Sequence, residues 1–265
     1  MTTCSNRQQQ YLNLQKRRHF LIHFFRILIL VVFLILWEWT SQSGMIDSFV
    51  FGSPSKIARC FWNMVLDKTI FFHLGITLYE TLLSFLFVTG ISILSALLLW
   101  YSKKLSKILE PYLVVLNSLP KSALAPLLIV WLGANQTTII IAGISVAIFG
   151  SILNLYTSFT SVDPEKIKLI YTLHGTRYHA LTKVVLPGSV PVIISNMKVN
   201  IGLCLVGVII GEFLAARSGL GYLIIYSSQV FKMDWLLMSI VLLCIMAMGL
   251  YTIINIVEKQ VIKRY

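Results

Sequence analysis

Charge is scarce in this sequence, and negative charge scarcer still: 265 residues carry 22 lysines and arginines but only 10 aspartates and glutamates. Charged side chains form 12% of the chain against 57% hydrophobic ones, and the mean hydropathy is +0.82. A soluble domain of this length needs more polar surface to cover its core, so that class is excluded. The net charge of +12 does not argue for nucleic acid, because little of the chain is left to build a soluble basic face. Cysteine is scarce too. Cys4, Cys60, Cys204 and Cys244 form no Cys-x-x-Cys pair, and two lie inside apolar runs, so neither a disulfide framework nor a zinc site is expected.

Enzyme signatures are also missing. No Gly-x-x-x-x-Gly-Lys phosphate loop occurs, so the chain is not expected to hydrolyse ATP by that machinery. Neither His-Glu-x-x-His nor Gly-x-Ser-x-Gly is present. His19, His23, His73, His174 and His179 form no metal cluster in the sequence. The expectation is a chain without catalytic residues, cofactor or metal.

What the sequence does have is apolar runs, several reaching the roughly 20 residues that span a hydrocarbon core. They predict an all-α membrane protein of about six transmembrane helices. The first run, 20–39, follows a basic tail and ends in Trp37, Glu38 and Trp39, an interfacial marker. It is long for a signal peptide and reads as a retained helix. Further spans are expected over 73–100, 110–132, 137–157, 188–211 and 235–257. Pro111, Pro120 and Pro126 punctuate the third, with Lys121 between the last two, so kinks or breaks are expected there. The resulting divisions are a cytoplasmic tail (1–19), a first helix (20–39), an extracytoplasmic segment (40–72), a core of five spans (73–257) and a cytoplasmic tail (258–265).

Orientation follows from the basic residues. With both termini inside, the inner segments hold Arg7, Lys16, Arg17, Arg18, Lys103, Lys104, Lys107, Lys166, Lys168, Arg177, Lys183, Lys259, Lys263 and Arg264. The outer segments hold only Lys56, Arg59, Lys68, Arg217 and Lys232. That bias places the termini in the cytoplasm.

Polar groups inside the spans are costly and therefore informative. Lys198, flanked by Asn196 and Asn200, lies at a depth close to that expected for Glu80. Two readings stand: a Glu80–Lys198 ion pair between packed helices, or groups lining a transport cavity. Gly207-x-x-x-Gly211 suits close helix packing. Glu212 follows at the outer end, and Gly219-Leu220-Gly221 adds a turn that suits an outer gate. The interior segment 158–186 is longer than a connector needs to be. Asp163 and Pro164 predict a capped helix ending at Gly175, and a second helix is expected from Thr176 to just before Pro187. Tyr171 and Tyr178 suggest a docking surface for a cytoplasmic partner.

In order along the chain, these features resemble a known family. Ser53-Pro54-Ser55-Lys56-Ile57 matches an outer Ser-Pro-x-x-Ile segment, and His73, Thr77 and Leu78 match a His-x-x-x-Thr-Leu helix opening. Pro111, Leu119-Pro120 and Ala125-Pro126-Leu127-x-Ile129-x-Trp131-x-Gly133 match a proline-rich span. Gly175 and Leu186-Pro187 stand at the spacing of a cytoplasmic Glu-Ala-Ala…Gly…Leu-Pro loop, although Leu169-Ile170-Tyr171 occupy the Glu-Ala-Ala positions. Glu212 with Gly219-Leu220-Gly221 completes the set. The chain thus resembles the permease subunits of bacterial ABC importers of the nitrate/sulfonate/taurine type. It departs from them at Glu80, where a basic residue is common, and at Asn196, where glycine is.

The resemblance implies a type I importer permease fold in the bacterial cytoplasmic membrane. Two permease copies would pair on a dimer of ABC ATPases, and an extracytoplasmic solute-binding protein would deliver a small solute such as a sulfonate, nitrate, bicarbonate or a vitamin precursor. Gly175, Thr176, Arg177, Tyr178, His179, Ala180 and Leu181, closed by Leu186 and Pro187, would couple to the ATPase. Two other classes stay open on the residues alone. One is an ion-coupled secondary transporter using Glu80 and Lys198; the other is a membrane scaffold or sensor that moves nothing.

Overall fold

A computed structural model describes residues 6–45 and 47–262, so Cys4, Lys263 and Arg264 lie outside the described residues. All regular structure among them is helical, and the chain divides into two compact units, Met1–Asn63 and Met64–Tyr265.

In the first unit, α1 (Asn6–Gln42) starts well upstream of the expected 20–39 span, and its apolar stretch is Phe24–Gln42. Phe24, Phe25 and the apolar residues from Leu28 to Leu36 are exposed, as a lipid-facing helix requires. A short helix α2 (Ser48–Phe51) leads to α3 (Pro54–Leu66). The Ser-Pro opening has a mechanical role: the Lys56 backbone N–H donates to Ser53 Oγ at 3.3 Å, and Pro54 takes the first helical position. Glu38 adds acceptors at the same helix start. It receives the Ser55 backbone N–H at 3.0 Å and the Ser55 hydroxyl at 2.5 Å, where orphan donors and the helix dipole favour a carboxylate.

The second unit is built on α4 (Thr69–Tyr101), α7 (Gln136–Thr160) and α10 (Leu186–Ala215), packed together. Small residues set their spacing. A Cβ on Gly207 would sit 2.8 Å from Gly143 Cα, and one on Gly211 would sit 3.0 Å from Ile139 Cα. Backbones therefore touch where the Gly-x-x-x-Gly spacing expects it. Around this core run α5 (Lys103–Ser118), α6 (Lys121–Leu132), α8 (Pro164–Thr172), α9 (Arg177–Ala180), α11 (Leu220–Gln229) and α12 (Met233–Ile262). Among the described residues, five helical runs are long and apolar enough to cross a membrane, and α5 with α6 makes a sixth if the bent pair is one span.

The third span is broken, as its prolines lead one to expect: it starts at Lys103, upstream of the expected 110, and breaks at Leu119-Pro120, where α5 and α6 meet at 96°. Leu119 is extended (φ −62°, ψ 139°), as a residue before proline tends to be. Lys121 satisfies carbonyls freed by the break, donating to Leu116 O at 2.5 Å and Asn117 O at 2.9 Å. One expectation needs correction: the helix begun at Arg177 does not stop before Pro187. A π turn over Leu181–Val185 sends the Leu186 N–H back to Leu181 O, and the apolar helical run continues from Arg177 to Ala215. The wider turn makes room for a proline ring that would otherwise crowd the carbonyl four residues back.

Candidate functional site

At the C-terminal end of α10, two separate sequence motifs form one hydrogen-bonded cluster. Glu212 Oε1 accepts from Thr77 Oγ1 at 2.7 Å, and Oε2 accepts from the Gly221 N–H at 2.6 Å. Thr77 Oγ1 in turn accepts from the Leu220 N–H at 2.8 Å, and His73 Nδ1 accepts from the Gly219 N–H at 3.0 Å. The His-x-x-x-Thr opening of α4 therefore holds the first turn of α11, and Glu212 completes the hold from α10. Glycine is needed at both flanking positions. Gly219 has φ +116°, and a Cβ there would overlap the Glu212 carboxylate; a Cβ on Gly221 would lie 2.7 Å from Oε2. The Gly219-Leu220-Gly221 turn is thus a pinned helix start and not a loose hinge. Glu80, fully buried one turn beyond Thr77, lies beside Glu212.

The expected Glu80–Lys198 pair is not formed. Lys198 makes its ion pair with Glu258 of α12, donates to Asn255 Oδ1 at 2.9 Å and lies 5.6 Å from the centre of the Tyr251 ring. The reason is helical geometry. Lys198 and Glu212 are about 21 Å apart along α10 at 1.5 Å per residue, and Glu80 sits at the Glu212 level. Lys198 also points away from its neighbours, because Asn196 and Asn200 lie two positions to either side and so face nearly opposite.

Those asparagines meet α4 and α7. Asn196 and Asn200 donate to Ser151 Oγ at 2.7 and 2.9 Å, Ser151 donates to Ser92 at 2.8 Å, and Asn154 donates to Asn196 Oδ1 at 2.9 Å. Asn196 and Asn200 are buried and tie α10 to α7. The four intramembrane candidates thus occupy three separate places. Sequence reasoning missed Ser92, Ser151, Asn154, Asn255 and Glu258. The polar residues spaced at i, i+3 and i+4 on the spans were the available signal.

At the other end of α10 stands the segment 158–186. Asp163 caps α8 by accepting the Glu165 N–H at 2.9 Å, and the Gly175 N–H closes the helix onto Ile170 O at 2.8 Å. Gly175 is required by proximity: a Cβ there would lie 2.7 Å from Ile170 O, while the positive φ of the turn (60°) belongs to His174. Thr176 and His179 form a reciprocal capping box that starts α9. Arg177 turns inward, donating to Trp100 O at 2.9 Å with its guanidinium 5.4 Å from the Trp100 and Tyr101 rings. Ala180 and Val185 are fully buried against Ala96, Leu155 and Phe159. Leu181, Leu186 and Pro187 are partly buried behind the same surface. What faces outward is Leu169, Tyr171, Leu173 and Tyr178, the last two 70% and 65% exposed. Among the described residues, no group of histidine, cysteine or acidic side chains is arranged to hold a metal.

A bent third span, a core of small-residue contacts and a braced helical segment between α7 and α10 make up the fold of type I ABC importer permeases. The fold is shared with a chain of the MetNI methionine ABC transporter in its inward-facing conformations, at TM-score 0.65 and 16% identity, covering 77% of this chain and 98% of that one. The chain belongs to the family of binding-protein-dependent transport system inner membrane components, which matches residues 88–265. A Bacillus subtilis (strain 168) protein named for aliphatic sulfonates transport, the permease protein SsuC, is 24% identical over 89% of this chain and 86% of its own length. The riboflavin transport system permease protein RibX of Chloroflexus aurantiacus is 25% identical over 88% of this chain and 87% of its own.

Proposed function

We propose that two copies of this chain pair around a translocation path in the bacterial cytoplasmic membrane, termini inside, and import a small solute delivered by an extracytoplasmic binding protein. ATP is hydrolysed by a separate pair of ATPase subunits seated under segment 158–186. The observation that carries this reading is the split character of that segment. Its inner side is fixed by Arg177, Ala180 and Val185, while Leu173 and Tyr178 stand outward on short, capped helices. A surface held rigid from behind and apolar in front suits a groove on a partner, because little ordering is left to do on binding.

Closure of the ATPases would move the segment as a body. The long run Arg177–Ala215 would carry that motion to the Glu212–Thr77–Gly221 cluster, which we assign as the outer gate. Transport is then a shift between two packings, driven by binding elsewhere. The solute itself stays open, since relatives are named for sulfonates and for riboflavin.

The test is uptake by proteoliposomes holding the chain, its ATPase and its binding protein. Uptake should require ATP and all three components, and should vanish when the ATPase phosphate-loop lysine is replaced. Uptake by the chain alone, driven by an ion gradient, would overturn the reading in favour of a secondary transporter.

A further inference from the structure

Beyond the coupling surface, the same end of the bundle has a cavity of about 630 Å³. It lies behind α8, where α4 and α7 end and α5 begins, and Lys103, Lys107, Arg177, Tyr156 and Tyr171 are among its lining residues. Three cations against one carboxylate, Glu110, give it a net positive lining. Arg177 is engaged with Trp100 O, while neither Lys103 nor Lys107 forms an ion pair among the described residues. Leu99, Trp100, Val162, Pro164 and Ile167 supply apolar wall beside the hydroxyls of Ser106 and Thr160.

We infer that this cavity holds the phosphate headgroup of an anionic lipid from the inner leaflet. Three features favour a lipid over a free anion. The cavity stands at the level where the apolar spans end, at Tyr101 and Thr160, which is where headgroups lie. Basic pockets between spans on the cytoplasmic side suit such headgroups. Leu99, Val162 and Ile167 give part of the wall an apolar character that a bare phosphate does not need and the glycerol and upper acyl carbons do. The consequence is regulatory. A lipid phosphate between Lys103 and Lys107 on α5 and the Arg177 side of the coupling segment would tie that segment to α5. The inner-leaflet assignment rests on the orientation proposed above; occupancy of the site does not.

The experiment uses the full chain in nanodiscs of phosphatidylcholine alone or mixed with phosphatidylglycerol, with lysine acylation rates read by mass spectrometry. Lys103 and Lys107 should react about fivefold more slowly with phosphatidylglycerol present, the effect of one basic residue's attraction to an anionic surface. Lys104, which does not line the cavity, should be unchanged. The double variant Lys103→Gln/Lys107→Gln should lose the phosphatidylglycerol that copurifies with the parent chain. Equal rates in both lipids would overturn the proposal, as would equal slowing of Lys104, the mark of diffuse surface attraction. Protection by soluble glycerol phosphate in phosphatidylcholine, with none from phosphatidylglycerol, would rule out the lipid as occupant. None of these readings depends on transport, so their failure leaves the permease assignment standing.

Discussion

At one end of α10 the Glu212 carboxylate has its hydrogen bonds supplied from within the chain, by Thr77 and Gly221, while at the other end Leu173 and Tyr178 stand largely exposed. The same helix therefore joins a closed polar cluster to an open apolar surface. The closed end holds α4, α10 and α11 together, so substitutions there should act on folding. The open end is braced by Arg177 and Ala180 from behind, so substitutions on its face should act on assembly and leave the fold alone. Separating those two effects is the way to test the comparison.

The largest effect is expected at the closed end. Gly219→Ala combines a left-handed φ with overlap of the Glu212 carboxylate, and should cost about 3 kcal/mol of stability. The readout is thermal unfolding in detergent, where the variant should melt well below the parent. Gly75→Ala is the control, because a Cβ there meets nothing within 4 Å. It should be neutral or stabilising by up to about 1 kcal/mol, since alanine is the better helix former. Equal melting of the two variants would show that the cluster does not pin α11.

At the open end the signs separate. Tyr178→Ala should weaken ATPase binding by about 2 kcal/mol, or roughly thirtyfold, if Tyr178 is an anchor of the interface. Its melting temperature should not move, because the side chain is 65% exposed and packs on little of its own chain. Titration of labelled ATPase onto the reconstituted permease measures the first effect, and unfolding measures the second. Unchanged binding would remove Tyr178 from the docking surface.

How much of this was legible in the sequence differs between the ends. Local chemistry was readable: Asp163 caps α8, Ser53-Pro54 opens α3, and Gly175 closes the turn, because each acts within a few residues. The count of spans was readable because hydropathy measures composition. Direction was not. The 96° bend at Pro120 lies inside one apolar run, and no composition average registers an angle. Continuity through Pro187 ran against the local rule that proline ends helices, and only the π turn makes the exception. The partner of Lys198 depended on which face of α10 meets α12. Glu258 falls just past the apolar run 235–257, so its pairing could not be read from span boundaries.

Arg177 sits between the two regimes, since it belongs to the proposed coupling segment but points into the bundle. Arg177→Gln removes the bond to Trp100 O and the contacts with the Trp100 and Tyr101 rings. It should cost about 1.5 kcal/mol of stability and also weaken ATPase binding, because the docking surface loses its brace. Arg177→Lys should recover only part of either, as a lysine cannot reproduce the planar stacking. If Arg177→Gln lowers ATPase binding without lowering the melting temperature, the side chain acts at the interface and not behind it.

The smallest effect tests whether short capped helices matter at all here. Thr176 N–H donates to His179 Nδ1 at 3.1 Å, and the Thr176 hydroxyl is 2.9 Å from the same nitrogen. Thr176→Ala removes half of this box and should cost about 1 kcal/mol at the start of α9. Because α9 has only four residues before the π turn, fraying there should be local. Amide exchange of Arg177 to Leu181 should quicken while exchange in α4 and α7 stays as it was. ATPase binding should fall less than in Tyr178→Ala, since the anchor remains and only its presentation loosens. Exchange quickening throughout the bundle would mean that the coupling segment is part of the core, and that the distinction between a closed end and an open one does not hold.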